Sequence, residues 1–456
     1  MNKQTIAAIC TPPVPVAIGI IRISGPAAHK ITSQIFRPAQ KLLNAPAYTA
    51  VYGRIFHDET ELDNCIAISF RAPNSFTGED TIELNCHGSV FLLKKILTLL
   101  ISRGAKQAEP GEFTRQAFEN NKLDLTQAES ILSTIHAQNF ATLNAAATVK
   151  SGALFKKIRE IKGKIIYIAA ELTAHIDFPD DEIPINFADL RTSLNSCIKS
   201  LQNLIENFNR TLIWRQGVSA VLAGAPNSGK STLLNTLAGY ERAIVTEIAG
   251  TTRDVIEEQI MLDDLMVKFI DTAGIHSSAN KIEQIGIEKS RENIHRADII
   301  LAVFDGSKNL TPADLEIIEL CKGRPAIALL NKSDLLPVCH SKQDKEFLNS
   351  QFSTVLPISA AQNTGLQSLS KHITAALGAD YQANDDVTLL NNRQRDLTAK
   401  ALEILQQIKL DFAQNQSADI ITFNIEEAIG VLSELSGENA SQQIVDEVFA
   451  NFCVGK

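Results

Sequence analysis

The chain has 456 residues, 45% of them hydrophobic and 21% charged, and this length and composition predict about three domains with packed cores. Its 43 Lys and Arg residues against 52 Asp and Glu residues give a net charge of -9, which argues against a general polyanion-binding protein. The 7 cysteines lack the close spacing that zinc requires, and no apolar run is long enough to span a membrane. These features predict a cytoplasmic protein without a disulfide framework or integral membrane association.

The first part of the chain, residues 1–119, predicts a small α+β domain. A helix is expected at 90–102, before Gly104. Short β-prone runs separated by turn residues predict strands, and they lie at 17–23, 49–55, 65–70 and 81–86.

Residues 120–212 and 382–456 have helical periodicity, which predicts an all-α domain built from two segments of the chain. The first segment contains a long helical pattern at 123–171. Residues 213–381, between the two segments, alternate strands and helices. This alternation predicts an inserted α/β domain with a parallel sheet.

A phosphate-binding loop is predicted at 224–231, where the sequence reads Gly-Ala-Pro-Asn-Ser-Gly-Lys-Ser. An apolar β-prone run precedes it and a helix start follows it, which is the context that the pattern needs and that a chance glycine-rich turn would not supply. Lys230 is expected to reach the β- and γ-phosphates, and the Ser231 hydroxyl to ligate Mg²⁺. The nucleotide contacts expected from this loop are Asn227, Ser228, Gly229, Lys230, Ser231 and Thr232.

Two further motifs predict switch loops that sense the γ-phosphate. In Gly250-Thr251-Thr252, Thr252 is expected to complete the Mg²⁺ shell and Thr251 to contribute backbone atoms. Asp271-Thr272-Ala273-Gly274 follows a β-prone run. Here Asp271 is expected to hold Mg²⁺ through water, and Gly274 to donate its N–H to the γ-phosphate.

Guanine recognition is predicted from two motifs that follow β-prone runs, Asn331-Lys332-Ser333-Asp334 and Ser359-Ala360-Ala361. The Asp334 carboxylate can accept from the N1 and N2 donors of guanine, a pair that adenine lacks. Backbone N–H groups of the second motif are expected to support the base. The order of all these motifs predicts a Ras-like GTPase.

In Ras-like GTPases a glutamine that orients the attacking water follows the second switch motif. Here Ile275 stands at that position. Asn227 is a candidate ligand for a monovalent cation beside the β–γ bridge, and Glu283 a candidate for orienting water. From spacing alone, it is an equally good interpretation that Asn227 only stabilises the loop and that Glu283 is only an exposed residue of a helix. Arg253 is read either as a catalytic arginine or as a partner contact, and a lone Cys453 is usually inert.

Other motifs carry a resemblance that covers the whole chain. They are Thr-Pro-Pro at 11–13, Pro-Asn-Ser-Phe-Thr-Gly-Glu-Asp at 73–80, Pro-Gly-Glu-Phe-Thr at 110–114, Lys-Leu-Asp-Leu at 122–125, Ile-Asp-Phe-Pro at 176–179 and the terminal Cys-x-Gly-Lys. With them the chain resembles the MnmE family, also called TrmE, of tRNA modification GTPases. Val14-Pro15-Val16-Ala17 and His276 depart from the family pattern, and the first departure bears on the shape of the folate pocket.

The resemblance implies a folate-binding and dimerising N-terminal domain, and a G domain that is activated by dimerisation. It makes Asn227, Thr246, Ile248 and Thr251 the K⁺ ligands, and adds Glu247, Ala249 and Gly250 to the nucleotide contacts. It assigns Glu283, Lys230 and Cys453 to catalysis. It further implies that a 5-formyltetrahydrofolate-type carrier is held by Arg22, Glu79, Lys122 and Lys456.

The implied partners are a second copy of the chain, tRNA, and an MnmG-type FAD protein that forms a heterotetramer with it. Together they would add an aminomethyl-type group to C5 of the wobble uridine in certain tRNAs. The alternative is a GTP-dependent ribosome-assembly factor of the Era type, which would not need folate. A membrane-linked GTPase is a weaker interpretation because the sequence shows no anchor.

Overall fold

The computed structural model describes residues 4–177, 186–239, 258–270, 296–335, 342–378, 387–414 and 416–456. They form two compact units. The first unit lies within Met1–Leu132, Ala147–Asn203 and Leu389–Lys456, and the second within Ser133–Ala146 and Leu204–Thr388. The bounds of the four segments predicted from the sequence, 1–119, 120–212, 213–381 and 382–456, stay predictions.

A seven-stranded sheet forms the N-terminal part of the first unit, in the order β3-β4-β5-β6-β2-β1-β7. Its strands are β1 (Ile6–Ile9), β2 (Val16–Ser24), β3 (Phe36–Arg37), β4 (Thr49–His57), β5 (Thr60–Phe70), β6 (Thr81–Gly88) and β7 (Lys106–Gln107). The helices beside it are α1 (Ala28–Ser33), α2 (Ala39–Leu43), α3 (Val90–Ser102) and α4 (Glu112–Glu119). The predicted α+β fold is therefore confirmed, and so are the predicted strands and helix 90–102.

The two faces of this sheet differ in burial. One face packs Ile21, Val51 and Leu84 against Leu93 and Ile96 of α3 in a single core. On the other face, strand pairing places Tyr52 beside Ile66, and their side chains are 66% and 45% exposed, with Ile18 60% exposed on β2. This second face therefore presents apolar side chains that the described residues do not cover.

Most of the remaining residues of the first unit lie in helices from two segments of the chain. They are α5 (Leu125–Ile135), α6 (Phe140–Lys150), α7 (Ala153–Asp177) and α8 (Phe187–Gln216), and, after the α/β part, α13 (Asn392–Ala413), α14 (Ala418–Ser436) and α15 (Gln442–Ala450). Buried Glu129 of α5 joins the segments, because it accepts from Arg393 Nε at 2.7 Å and from Gln394 Nε2 at 2.6 Å. In the part of the chain that the structure describes, no helix is both long and apolar enough to cross a membrane.

The helical run expected at 123–171 is wrong as a continuous element, because the structure divides it into α5, α6 and the start of α7. Gly152 has a φ of 86°, a left-handed conformation that ends a helix. Asn139 accepts from the Thr142 amide at 2.8 Å, which caps the start of α6.

The second unit contains a six-stranded sheet in the order β13-β12-β11-β8-β10-β9. Its strands are β8 (Val218–Ala223), β9 (Glu258–Leu262), β10 (Leu265–Phe269), β11 (Ile299–Asp305), β12 (Ala326–Asn331) and β13 (Val355–Pro357). Its helices are α9 (Lys230–Ala238), α10 (Pro312–Cys321), α11 (Lys342–Gln351) and α12 (Leu369–Ala376). The predicted α/β fold is confirmed.

The sheet is parallel, as predicted, except at one edge, where β9 pairs antiparallel with β10. A short turn with Asp263 at a φ of 52° joins these two strands. The strands β8, β11 and β12 are parallel, so their carboxyl ends lie at one edge of the sheet. That edge is where ligands bind in folds of this kind.

Candidate functional site

The phosphate loop connects β8 to α9. Asn227 and Gly229 have φ values of 59° and 96°, so the loop uses left-handed conformations at two positions. A Cβ on Gly229 would lie 2.2 Å from Asn331 Nδ2, which leaves room only for glycine. The loop therefore turns directly into α9, whose first N–H groups have no intrahelical partners and can bind an anion.

Lys230 lies in the first turn of α9, and its Nζ donates to the carbonyls of Gly224 and Ala225 at 2.7 and 2.9 Å. Burial lowers the pKa of Lys230, and the charge of Asp314 opposes this effect. The amine is thus held against the loop. Ser231 and Thr232 follow it and are exposed.

Ser228 is 2% exposed, and its Oγ has no hydrogen-bond partner among the described residues. Its carbonyl accepts from Asn331 Nδ2 at 2.9 Å. A cavity of about 250 Å³ lies beside it, lined in part by Asp305, Lys308 and Asp314. A buried hydroxyl without a partner beside such a cavity fits a polar ligand or an ordered water.

The guanine motifs lie next to the phosphate loop. Asn331 Oδ1 accepts from the Ala360 amide at 3.0 Å, and Ser359 Oγ donates to Asp334 Oδ1 at 2.5 Å. The Ser333 amide donates to the Ile358 carbonyl at 3.1 Å. These bonds place both motifs together, with Ala361 exposed just beyond them.

Lys332 joins the guanine motif to the phosphate loop. Its Nζ donates to the Asn227 carbonyl at 2.8 Å and to Asp305 Oδ2 at 2.7 Å. Burial raises the pKa of Asp305, but the hydrogen bonds from Lys332 and Ser307 outweigh burial and lower it. Asp305 therefore stays charged and fixes Lys332. Asp305 was not predicted as a site residue, although its position at the end of an apolar strand is a signal for it.

The switch residues lie outside the described residues. These are Thr246, Glu247, Ile248, Ala249, Gly250, Thr251, Thr252, Arg253, Asp271, Thr272, Ala273, Gly274, Ile275, His276 and Glu283. Their roles stay predictions. Of the predicted Mg²⁺ and K⁺ ligands, the structure describes Ser231 and Asn227.

A second group of predicted site residues lies in the first unit, around Arg22 of β2. Glu83 of β6 accepts from Arg22 Nε at 2.9 Å and Nη2 at 2.8 Å. The guanidinium also lies 5.9 Å from the ring centre of Phe76 and 5.5 Å from that of Phe113. Its Nη1 donates to the carbonyl of Gly455 at 3.4 Å, next to Lys456.

Glu79 and Lys122 are the next two predicted carrier contacts. Glu79 is 8% exposed, and its Oε1 accepts from Asn120 Nδ2 at 3.2 Å. Lys122 Nζ donates to the Pro73 carbonyl at 3.0 Å, so this side chain contacts the loop that carries Phe76 and Glu79. The structure thus brings the four predicted carrier contacts to one region, and Cys453 is exposed near Lys456.

Three residues of this group, Glu83, Phe113 and Asn120, were not predicted as site residues from the sequence. Glu83 offered a signal, because it is a charged residue between apolar neighbours in a strand. The pairing of Glu83 with Arg22 could not be predicted, because it depends on the register of β2 with β6.

Comparisons with known proteins bear on the family to which the chain belongs. A family model described as the GTP-binding protein TrmE N-terminus matches residues 5–122, and one described as the MnmE helical domain matches residues 125–453. A tRNA modification GTPase MnmE from Natranaerobius thermophilus is 38% identical over 462 residues and covers 100% of both chains. The protein of the same name from Clostridioides difficile is 36% identical and covers 99% of each chain.

Among solved structures, the FeoB G-domain from Methanococcus jannaschii covers 35% of this chain and 97% of its own length, with 24% identity and a TM-score of 0.27. That likeness adds nothing to the assignment, which rests on the two family models and the full-length relatives. On those grounds, the chain belongs to the MnmE (TrmE) family of tRNA modification GTPases.

Proposed function

We propose that this chain is a K⁺-dependent GTPase, activated by dimerisation, that acts in tRNA modification in the cytoplasm. With an MnmG-type flavoprotein it adds an aminomethyl or carboxymethylaminomethyl group to C5 of the wobble uridine of certain tRNAs. A tetrahydrofolate supplies the one-carbon unit. The observation that carries the proposal is the direct bonding of the guanine motif to the phosphate loop through Asn331 and Lys332.

GTP is the substrate that this geometry favours. The Asp334 carboxylate, held by Ser359, can accept the two N–H donors of guanine. Adenine would leave that carboxylate unpaired, which is the strongest form of discrimination that a polar pocket offers. The N-terminus of α9 and the Lys230 amine provide positive charge for the phosphates.

Mg²⁺ and K⁺ are expected at the phosphate end of the site. Ser231 with Thr252 would hold Mg²⁺, while K⁺ would be held by Asn227, Thr246, Ile248 and Thr251. Hydroxyl, amide and backbone oxygens suit hard cations, and the two ligands that the structure describes, Ser231 and Asn227, are exposed at the loop. A K⁺ ion there would supply the charge that an arginine finger supplies elsewhere, while Glu283 would orient the attacking water.

The carrier, 5-formyltetrahydrofolate or a related tetrahydrofolate, is assigned to the group around Arg22. The group offers a guanidinium close to the rings of Phe76 and Phe113, and so presents positive charge and aromatic surface to a flat, anionic molecule. Glu79, Lys122 and Lys456 complete the contacts. Cys453 is the candidate catalytic thiol.

The homodimer is supported by the uncovered apolar face of the N-terminal sheet, where Tyr52, Ile66 and Ile18 are exposed. Exposed apolar patches mark protein interaction sites. The flavoprotein of the heterotetramer is expected to contribute much of the tRNA-binding surface, since this chain has a net charge of -9.

Deletion of the gene tests the proposal, with wobble-uridine modification measured by mass spectrometry. The deletion strain is complemented with the wild type, with Lys230→Ala, and with Lys322→Ala, an exposed lysine at the end of α10, as a matched control. We expect the wild type and the control to restore modification and Lys230→Ala to fail. Unchanged tRNA in the deletion strain would overturn the proposal, and ribosome association without folate binding would favour an assembly factor.

A further inference from the structure

The end of the chain lies against the N-terminal sheet. Val454 forms an antiparallel bridge with Pro110. The Lys456 amide donates to the Cys453 carbonyl at 3.3 Å, which closes a turn with Gly455 at its third position. Gly455 has a φ of 96°, as the third residue of a type II turn requires. We call residues 453–456 the tail.

The tail also caps helix α4. The Phe113 amide donates to the Lys456 carbonyl oxygen at 3.2 Å. The first N–H groups of a helix lack intrahelical partners, so the protection of this amide depends on the tail being docked. The Phe113 amide is therefore a local reporter of tail position.

Two side chains from the sheet converge on one carbonyl of the tail. Cys10 Sγ donates to the Gly455 carbonyl at 3.3 Å, and Arg22 Nη1 donates to the same oxygen at 3.4 Å. The backbones are in close contact as well, because a Cβ on Gly455 would lie 2.9 Å from Cys10 Cα and from the Ile9 carbonyl.

We propose that Cys10 is a positioning residue of the carrier site, whose thiol holds the Gly455 carbonyl and so fixes the tail that carries Cys453 and Lys456. The inference rests on the proposed binding of the carrier at Arg22. When a carboxylate or carbonyl of the carrier accepts from Arg22, that guanidinium is less available to donate to the Gly455 carbonyl. Cys10 then remains as the second donor that keeps the tail docked.

The chemistry of Cys10 suits this role. A thiol can donate one weak hydrogen bond only while it is protonated. Burial raises the pKa of Cys10, and the charge of Arg22 opposes this, so the donor is present at neutral pH. Serine would keep a donor at this position, whereas alanine would remove it.

Hydrogen exchange of the full-length protein tests the inference, with the Phe113 amide and the C-terminal peptide as readouts, with and without saturating 5-formyltetrahydrofolate. In Cys10→Ala we expect exchange at these amides to be roughly threefold faster with carrier bound, as the loss of one weak hydrogen bond allows. Cys10→Ser should restore slow exchange. Cys197→Ala, which removes a buried thiol from helix α8, should match the wild type.

A second pair of variants tests tail docking independently of the thiol. Gly455→Ala places a methyl group against Cys10 and should release the tail with or without carrier. Gly104→Ala is the matched control, because Gly104 has a φ of 109° with nothing within 4 Å of its Cβ position, and it should leave the Phe113 amide protected.

The outcomes separate this inference from the proposed function. Equal exchange in Cys10→Ala and wild type, with and without carrier, would overturn the positioning role, as would Cys10→Ser behaving like Cys10→Ala. Failure of the wild type to bind the carrier would overturn the folate assignment instead. In that case the protein without carrier decides whether Cys10 holds the tail, because Cys10→Ala removes one of two donors to the Gly455 carbonyl and should still make exchange faster, by less than threefold.

Discussion

Asn331 Nδ2 donates to the carbonyl oxygen of Ser228 over 2.9 Å, and so bonds the guanine motif directly to the phosphate loop. The same side chain accepts from the Ala360 amide at 3.0 Å, and Asn331 is 2% exposed. One buried amide therefore holds three segments of the α/β part in register, and the nucleotide site depends on it.

Substitution of Asn331 by alanine is expected to weaken GTP binding at least tenfold. The change leaves a buried carbonyl and a buried amide without partners, which costs about 1–3 kcal/mol for each group. Fluorescent GTP titration measures the effect. Asn349→Ala, an exposed change on α11, is the control, and equal affinity of the two variants would contradict the role of Asn331.

Asp334→Asn is expected to lower GTP affinity roughly 100-fold or more, because the amide cannot accept both guanine donors. The same change should improve binding of xanthosine triphosphate, whose second ring oxygen accepts from an amide. Competition binding measures the affinities for GTP and for xanthosine triphosphate in the variant and in the wild type. Asp264→Asn in the β9–β10 turn should bind like the wild type, and a loss of GTP affinity without any gain for the xanthine nucleotide would count against direct base contact.

Glu83→Gln should weaken binding of 5-formyltetrahydrofolate about tenfold. The substitution removes the charged partner of Arg22, and hydrogen bonds to charged groups contribute about 1.5–3 kcal/mol. Calorimetric titration measures the affinity. Glu61→Gln is the control, because Glu61 pairs with Arg54 on the exposed surface of the same sheet. Wild-type affinity in Glu83→Gln would show that Arg22 needs no positioning by this carboxylate.

The surroundings of His29 predict that the stability of the first unit depends on pH. Its Nε2 lies 2.8 Å from Ser69 Oγ and its Nδ1 lies 3.2 Å from Asp80 Oδ2. Burial lowers the pKa of His29, the Arg71 charge lowers it further, and Asp80 opposes both. The stability that His29 contributes is therefore complete above the unfolded pKa of about 6.5 and is lost as pH falls through the lower folded pKa.

Hydrogen exchange in β5 and β6, corrected for intrinsic rates, should accordingly become faster in the wild type between pH 7 and about pH 5. His29→Gln should remove most of this pH dependence. His136→Gln, at an exposed position, should keep it. An unchanged response in His29→Gln would assign the effect to other groups.

The sequence predicted the parts of the molecule whose chemistry is local. The phosphate loop and the motif at Asn331 are short segments whose glycine, amide and carboxylate positions follow from their own spacing, and the structure joins them as neighbours. The pairing of Arg22 with Glu83 and the contact of Cys10 with Gly455 could not be predicted in this way. Each depends on strand register or on a contact between distant parts of the chain.

The most direct test of the account compares GTP hydrolysis by the purified wild type in K⁺ and in Na⁺ at equal ionic strength, with nucleotide binding measured in parallel. If K⁺ replaces an arginine finger, hydrolysis should fall at least about tenfold in Na⁺, since such fingers contribute roughly 10³–10⁵ in rate. GTP affinity should stay the same in both salts. Equal hydrolysis rates in the two salts would contradict the central claim.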